Sequence, residues 1–231
     1  MLKLKQVPLS VGATAIYPYS DGLASSLSFL SRFGDPVKMW RQDGNSIHVP
    51  RGLADLSELP PELDHRVRGQ QLPQLEPALK PRDDDQAQVL TKTIAYLKAG
   101  VNHIVEAPTG FGKTFIGVST GLALSVPVLI VVTKEDLVHA WRKMLLNSPT
   151  APSEPGMGLP ASMIGHVQAG VEDWKGKRFV IGMIHSLVKE GKYDSAFWNY
   201  FGFGIFDEVH RLGADTFQEV CNLLPAYYRQ G

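Results

Sequence analysis

The strongest constraint on the fold is an octapeptide at residues 107–114, which reads Ala-Pro-Thr-Gly-Phe-Gly-Lys-Thr. It stands between a strand-like apolar segment, residues 102–106, and a helix-like apolar segment, residues 115–124. Gly110 and Gly112 carry no Cβ, so the backbone can turn tightly and direct successive N–H groups at anionic oxygens where the helix begins. The octapeptide therefore predicts a phosphate-binding loop between a strand and a helix.

The polar residues of this loop predict how a nucleotide is held. Lys113 is expected to reach the β- and γ-phosphates and the Thr114 hydroxyl to hold Mg²⁺, with Thr109 in the cradle beside the two glycines. The strict pattern Gly-x₄-Gly-Lys-Ser/Thr fails at its first position, where the chain has Ala107. A bare Gly-Lys-Thr also occurs by chance in turns, so the prediction depends on the flanking strand and helix.

Length and charge limit the class of protein. The 231 residues allow one large or two small domains, and 44% of them are hydrophobic. Lys+Arg and Asp+Glu are balanced at 23 each, so any nucleic-acid surface must be a local patch. The lone Cys221 excludes an internal disulfide and a multi-thiolate zinc site.

Targeting signals are also missing from the sequence. It contains no apolar run of about 18 residues, and residues 1–5 alternate too strongly for a signal peptide. We therefore expect no membrane partner and a location in the cytoplasm of a cell or of an infected host.

The pattern of elements divides the chain into three parts. Residues 1–56 combine short strands, a helix and a hairpin, which predicts a small α+β domain. Residues 57–81 are rich in proline and polar side chains, as in a semi-extended linker. Residues 82–231 alternate strands and helices, which predicts a parallel sheet covered on both faces. The fold class is therefore α/β, preceded by a small α+β domain.

A hairpin in the first part offers one candidate nucleic-acid surface. Residues 37–40 and 46–49 are predicted to pair across residues 41–45, whose Asp-Gly has turn chemistry. Lys38 and Arg41, with a tryptophan between them, suit contact with a phosphate backbone and stacking on a base. A core tryptophan flanked by solvated cations is the simpler alternative, and the residues alone leave both open.

An acidic pair supplies a second candidate half-site. Asp207 and Glu208 follow the apolar residues 203–206, and ligands of parallel α/β sheets bind outside the carboxyl ends of the strands. Asp207 is expected to hold Mg²⁺ directly or through water, and Glu208 to orient and polarise the attacking water. Most Asp-Glu pairs are solvated surface, but this one follows an apolar strand downstream of a phosphate loop.

Four segments together resemble the superfamily 2 helicases and translocases, in particular the phage-type DNA helicases of the branch-migration kind, relatives of XPB and of the type I and III restriction translocases. The segments lie at residues 107–114, 131–137, 182–187 and 207–210. The resemblance covers residues 82–231 and implies a RecA-like domain. It implies that ATP is bound by the phosphate loop and that Mg²⁺ and water are handled by Asp207 and Glu208.

The same resemblance implies roles outside the phosphate loop. His210 would couple the nucleotide and DNA sites. Gln86, whose amide has the donor and acceptor that an adenine edge needs, would read the base, with Arg82 four residues before it rather than three. Residues along the nucleic-acid backbone would be Thr133, Lys134, His185 and Ser186. The first domain resembles the accessory domain that touches duplex DNA in such phage enzymes.

We therefore expect the N-terminal part of an ATP-dependent helicase or translocase acting on duplex, forked or branched DNA. In this family a Ser/Thr-Ala-Thr segment and a second RecA-like domain follow, and the sequence stops at Gly231 before them. An arginine from a facing domain is worth about a thousandfold or more in rate, so we expect these residues to bind ATP·Mg²⁺ weakly and to hydrolyse it slowly. Two alternatives stay open: a restriction-type translocase subunit, and a nucleotide-dependent DNA- or protein-binding module without turnover.

Overall fold

The computed structural model describes residues 4–30, 34, 36–189, 191–208 and 215–231. The chain divides into two compact units, Met1–Arg66 with Cys221–Pro225 and Val67–Val220 with Ala226–Gly231. No helix in the described parts of the chain combines the length and the hydropathy needed to cross a bilayer.

The first unit is a small α+β structure built from short antiparallel strands. Its elements are β1 (Ser10–Val11), β2 (Thr14–Pro18), α1 (Asp21–Ser26), β3 (Ser28–Leu30), β4 (Pro36–Lys38), β5 (Arg41–Asp43) and β6 (Ser46–Pro50), followed by 3-10 turns at Arg51–Leu53 and Pro61–Leu63. One sheet has the order β1-β2-β6-β5, and β3 pairs with β4. Alternate residues of β2 and β6 are buried, Ala15 and Tyr17 facing the same core as Ile47 and Val49.

The predicted hairpin was wrong in its first strand. β5, not residues 37–40, pairs with β6, and Asp43 lies opposite Ser46 across a two-residue turn. Gly44 begins that turn with φ +54°, and a two-residue turn of this kind matches the twist of paired strands better than a five-residue loop. Lys38 lies instead in β4, opposite Ser28 of β3. The two cations assigned to one hairpin therefore belong to different sheets.

The rest of the chain alternates helices and strands. Its elements are α2 (Asp84–Lys98), α3 (Lys113–Leu124), β7 (Val128–Val132), α4 (Glu135–Leu146), a 3-10 turn (Ala161–Met163), β8 (Ile164–Gln168), β9 (Val171–Glu172), β10 (Phe179–Met183), α5 (Ile184–Leu187), α6 (Ser195–Trp198), β11 (Phe203–Phe206), α7 (Asp215–Leu223) and β12 (Tyr228–Gln230). Among the described residues one sheet has the order β12-β11-β7-β10-β8-β9, and only β8 and β9 pair antiparallel. The prediction of an α/β fold with a parallel sheet is confirmed.

The centre of this sheet is buried on both faces. All five residues of β7 and all four of β11 are buried, as expected for parallel strands covered by helices. Helix α3 is buried along most of its length. Because β7 and β11 carry no polar side chains, polar groups at the centre of the sheet come from the segments that follow these two strands.

The segment before the phosphate loop departs from its prediction. Residues 102–106 form no regular strand, and their pairing is reduced to an isolated bridge between His103 and Gln230. The backbone N–H of Val105 donates to Gly231 O at 2.8 Å, and the N–H of Gly231 donates to His103 O at 3.1 Å. The prediction of a strand over residues 102–106 was therefore wrong. Ile104 is 61% exposed, and the segment lies along only the outer edge of the sheet.

Candidate functional site

The phosphate loop has the backbone geometry that its glycines predict. Gly110 has φ +80° and Gly112 has φ +92°, a left-handed conformation that other residues adopt only with strain. Gly112 directly precedes α3, and a Cβ at this position would lie 2.5 Å from Gln86 Nε2. No side chain caps the start of α3, so its first N–H groups remain suited to an anion.

Lys113 is the first residue of α3 and is exposed. Its Nζ donates to the carbonyl oxygens of Ala107 at 2.7 Å and Pro108 at 3.3 Å. The ammonium therefore lies over the loop, on the side where the loop begins. Thr114 follows in the first turn and is half-buried.

Two residues near the start of α2 brace the loop. Gln86 is 4% exposed, and its Nε2 donates to Phe111 O at 2.7 Å while its Oε1 accepts from the backbone N–H of Arg82 at 3.0 Å. Arg82 Nη1 donates to Gly110 O at 2.7 Å. The Arg82 guanidinium first, and the Gln86 N–H second, lower the pKa of Asp83, which caps α2. Reading of adenine by Gln86 stays a prediction, because both ends of its amide are bonded within the chain here.

One pocket at the carboxyl edge of the sheet joins the two predicted half-sites. Its volume is about 530 Å³. Thr109 and Lys113 line it from the loop and from the start of α3, and Asp207 and Glu208 line it from the end of β11. Glu106 adds a third carboxylate to the lining. The structure therefore brings together residues that are distant in the sequence and that were predicted to share a site.

The acidic pair is held in a defined geometry. The Asp207 N–H donates to Val131 O at 3.1 Å, which continues the pairing of β11 with β7. Asp207 Oδ1 accepts from the N–H of Glu208 at 3.0 Å, and its Oδ2 accepts from Trp141 Nε1 at 2.8 Å. Glu208 has φ +58°, a strained conformation for a residue with a side chain, and such strain is concentrated at functional sites.

The pocket fits a nucleoside triphosphate with Mg²⁺. The glycine turn, the uncapped helix start and Lys113 are the groups that polyphosphates require. Thr114 and Asp207 offer oxygen ligands of the kind Mg²⁺ prefers, and the Asp207 carboxylate keeps acceptor capacity beyond its two hydrogen bonds. Within the described ranges no three His, Cys, Asp or Glu residues cluster as a metal site.

The predicted nucleic-acid contacts of the second unit follow two neighbouring strands. Thr133 and Lys134 come directly after β7, and His185 and Ser186 lie in α5 directly after β10. Lys134 and His185 are exposed. Ser186 is 7% exposed and its Oγ accepts from the Ala169 N–H at 3.3 Å, which makes it a weaker candidate than His185. Thr133 Oγ1 is buried without a hydrogen-bond partner among the described residues.

The remaining predicted residues belong to the first unit or fall outside the described residues. Lys38 and Arg41 are exposed in the first unit, and Lys38 Nζ is 5.2 Å from the Trp40 ring centroid. Burial first, and the charge of Arg41 second, lower the pKa of His48, which lies opposite Arg41 in the sheet. His210 lies outside the described residues.

Sequence reasoning missed Trp141 and left Arg82 without a role. Both act through contacts with residues far away in the chain, Trp141 with Asp207 and Arg82 with Gly110. Neither lies in the loop or in the acidic pair, and no local pattern marks them. A hint was available for Arg82, which stands near a glutamine that the family resemblance singles out.

The fold is that of a RecA-like helicase domain, and the family match below places the chain in the superfamily 2 helicase class. Residues 79–231 match the family described as "Type III restriction enzyme, res subunit". The match covers most of the chain, and the protein belongs to this family.

Individual relatives agree with that assignment. L396 of Acanthamoeba polyphaga mimivirus, provisionally named an ATP-dependent RNA helicase, is 26% identical over 199 residues, which cover 84% of this chain and 35% of that protein. The DNA 3'-5' translocase XPB2 of Sulfurisphaera tokodaii is 28% identical over 134 residues, covering 55% of this chain and 26% of that protein. The chain thus spans about a third or less of the length of these two relatives.

A solved structure has a similar fold. UvsW of T4 superposes with a TM-score of 0.58 and 15% identity, covering 91% of this chain and 47% of that one. At this identity the likeness concerns the fold alone.

Proposed function

We propose that this chain binds ATP with Mg²⁺ in the pocket at the end of β11 and forms the nucleotide-hydrolysing front part of a DNA helicase or translocase. The observation that carries the proposal is that the phosphate loop and the Asp207-Glu208 pair line one pocket of about 530 Å³. A loop alone would serve any nucleotide-binding protein, whereas a loop facing two carboxylates suits hydrolysis.

Each residue has a separate role in this proposal. The loop N–H groups and Lys113 bind and orient the polyphosphate, and Thr114 and Asp207 would hold Mg²⁺, which supplies charge neutralisation when bound. Glu208 accepts a proton from the attacking water or orients it. Its backbone at φ +58° turns the chain directly after β11.

Nucleic acid is proposed as the partner because the exposed Lys134 follows β7, the neighbour of β11, and the exposed His185 follows β10, the next strand of the same sheet. We propose DNA rather than RNA because the relative XPB2 is named a DNA translocase. Because the relative L396 is named an RNA helicase, the experiment must also test RNA. Unwinding or branch migration of duplex, forked or branched DNA would further require a second RecA-like domain. The family description also favours one alternative, a restriction-type translocase that moves along duplex DNA without separating it.

The test is ATP hydrolysis by this chain, and by a longer form of the protein, in the presence of forked DNA, plain duplex DNA or RNA of equal length. We expect slow hydrolysis by the chain alone and DNA-stimulated hydrolysis by the longer form. Glu208→Gln should remove turnover and keep nucleotide binding. Stimulation by RNA alone would overturn the DNA assignment, and unchanged hydrolysis by Glu208→Gln would overturn the hydrolytic role.

A strand-displacement assay on the same forked DNA separates the helicase from the restriction-type translocase. Release of the displaced strand favours the helicase. Hydrolysis stimulated by plain duplex, without strand release, favours the translocase.

A further inference from the structure

We propose that Trp141 is a positioning residue for the Asp207 carboxylate, a role that rests on the proposed function of this pocket. Trp141 belongs to α4 and is 3% exposed. Its Nε1 donates to Asp207 Oδ2 at 2.8 Å, and the ring lines the same pocket as the phosphate loop. The indole therefore reaches the acid that the proposed function assigns to Mg²⁺.

The indole N–H of Trp141 restricts rotation of the Asp207 carboxylate. Asp207 Oδ1 already accepts from the N–H of Glu208 at 3.0 Å. With Oδ2 bonded to Trp141, each oxygen has its own donor, and the plane of the carboxylate is set. Hydrogen bonds to a charged acceptor are shorter and stronger than neutral ones. An indole N–H is a donor only and does not titrate, so it orients the carboxylate without competing for the metal.

The sequence makes room for this ring at a cost to local helix stability. Gly117 lies in the interior of α3, where glycine is disfavoured. A Cβ at this position would lie 2.8 Å from Trp141 Cη2 and 3.3 Å from Ile205 Cδ1. Ile205 belongs to β11, the strand that directly precedes Asp207. Three elements therefore meet at the indole, and packing fixes its orientation as well as the hydrogen bond.

The first test is Trp141→Phe, which keeps an aromatic ring and removes the donor. Binding of a fluorescent ATP analogue to the chain is measured with Mg²⁺ and again in EDTA. We expect the affinity in Mg²⁺ to fall about tenfold and the affinity in EDTA to stay unchanged. The matched control is Trp174→Phe, because Trp174 is also buried, at 9% exposure, and packs against Phe197 and Tyr200. This control should change neither affinity.

A double-mutant cycle shows whether Trp141 acts through Asp207. Asp207→Ala should itself remove the Mg²⁺-dependent gain in affinity, and adding Trp141→Phe should then have no further effect. If Asp207→Ala lowers the affinity in Mg²⁺ but Trp141→Phe behaves like the Trp174 control, this inference is overturned and the proposed function stands. If Asp207→Ala changes nothing, the proposed function is overturned.

An NMR measurement keeps the inference testable even if Trp141→Phe does not fold. The chain has four tryptophans, so its ¹H–¹⁵N spectrum has four indole signals. Replacing each of the other three tryptophans by phenylalanine assigns the Trp141 signal by elimination. Asp207→Ala should move the Trp141 signal to the position of a weaker hydrogen bond and leave the other three in place. An unmoved Trp141 signal would overturn the inference.

Discussion

The two units carry their polar residues in opposite ways. In the second unit β10, β7 and β11 are parallel neighbours, so the segments that follow them meet at one edge of the sheet. In the first unit β2 and β6 are antiparallel, and the basic residues Lys38 and Arg41 are exposed on separate sheets. Parallel topology concentrates side chains at one edge, whereas in an antiparallel sheet the carboxyl ends of neighbouring strands lie at opposite edges.

This difference predicts how substitutions in the two units should behave. If the proposed function is right, several residues at the carboxyl edge act on one ligand, so a single change there should have a large effect that depends on its neighbours. On the first unit each cation would contact a separate phosphate, so effects should be small and additive. The following predictions test that contrast, from the largest expected effect to the smallest.

Lys113→Ala should have the largest effect. Removing the ammonium that the loop holds at 2.7 Å from Ala107 O eliminates the main charge partner of the phosphates, and we expect the ATP affinity to fall about a hundredfold. Isothermal titration calorimetry provides the measurement, with Lys98→Ala, an exposed lysine in the last turn of α2, as control. If Lys113→Ala bound ATP as tightly as the parent, the loop at residues 107–114 would not be the phosphate-binding loop.

Gly110→Ala and Gly112→Ala form a matched pair with an intermediate effect. Both alanines would have to adopt positive φ, at a cost of about 1–2 kcal/mol each. Only the Cβ at position 112 would collide with Gln86 Nε2, whereas a Cβ at position 110 meets nothing within 4 Å. We expect both variants to lose stability and Gly112→Ala to lose more, as measured by urea unfolding. Equal losses would mean that Gln86 does not brace the loop.

Lys38→Ala and Arg41→Ala should each have a small effect on DNA binding. If each cation neutralises one phosphate, affinity should fall only a few-fold per substitution and the slope of log K against log salt should decrease by about one. Fluorescence anisotropy on duplex DNA at several salt concentrations provides both numbers. If one substitution alone abolished DNA binding, the expectation of small, additive effects in the first unit would be wrong. If the salt slope did not change, the substituted residue would not contact a phosphate.

His103 predicts a weak pH dependence of stability. Burial lowers its pKa below the ordinary value of 6.5, only partly offset by the hydrogen bond with Val101 O. The unfolded chain therefore binds more protons, so the stability present at neutral pH is lost as the pH falls through 6.5 toward the lower pKa of the folded state. His103→Gln should flatten the change in unfolding free energy between pH 7.5 and 5.5. A slope identical to that of the parent would show that His103 does not contribute.

Parts of this structure follow from the sequence because their causes are local. The glycines of the phosphate loop and the apolar residues 203–206 before Asp207 each carry their own signal, and the alternation of strands and helices then places both at one edge. The predicted hairpin was wrong because an Asp-Gly is compatible both with the five-residue loop that was expected and with the two-residue turn that forms. Reading of adenine by Gln86 stays a prediction, and the contact of its buried amide with Phe111 O joins distant parts of the chain that no local pattern connects.

Other parts depend on contacts that no local pattern contains. The Trp141–Asp207 hydrogen bond joins residues 66 positions apart, and the reason for Gly117 appears only when the indole lies against it. Domain limits also depend on packing. Residues 57–81 are predicted from their composition to be a linker, and within them Leu75 and Leu79 pack against the core of the second unit, while Arg178 Nη1 donates to Pro73 O at 2.7 Å.

The most direct test of the central claim is hydrogen–deuterium exchange of this chain with and without a non-hydrolysable ATP analogue and Mg²⁺. If the loop and the acidic pair form one nucleotide site, peptides that cover residues 107–114 and residues 203–208 should become protected together. A peptide that covers residues 36–50 of the first unit should be unchanged. Protection of the loop without any change at residues 203–208 would contradict the account.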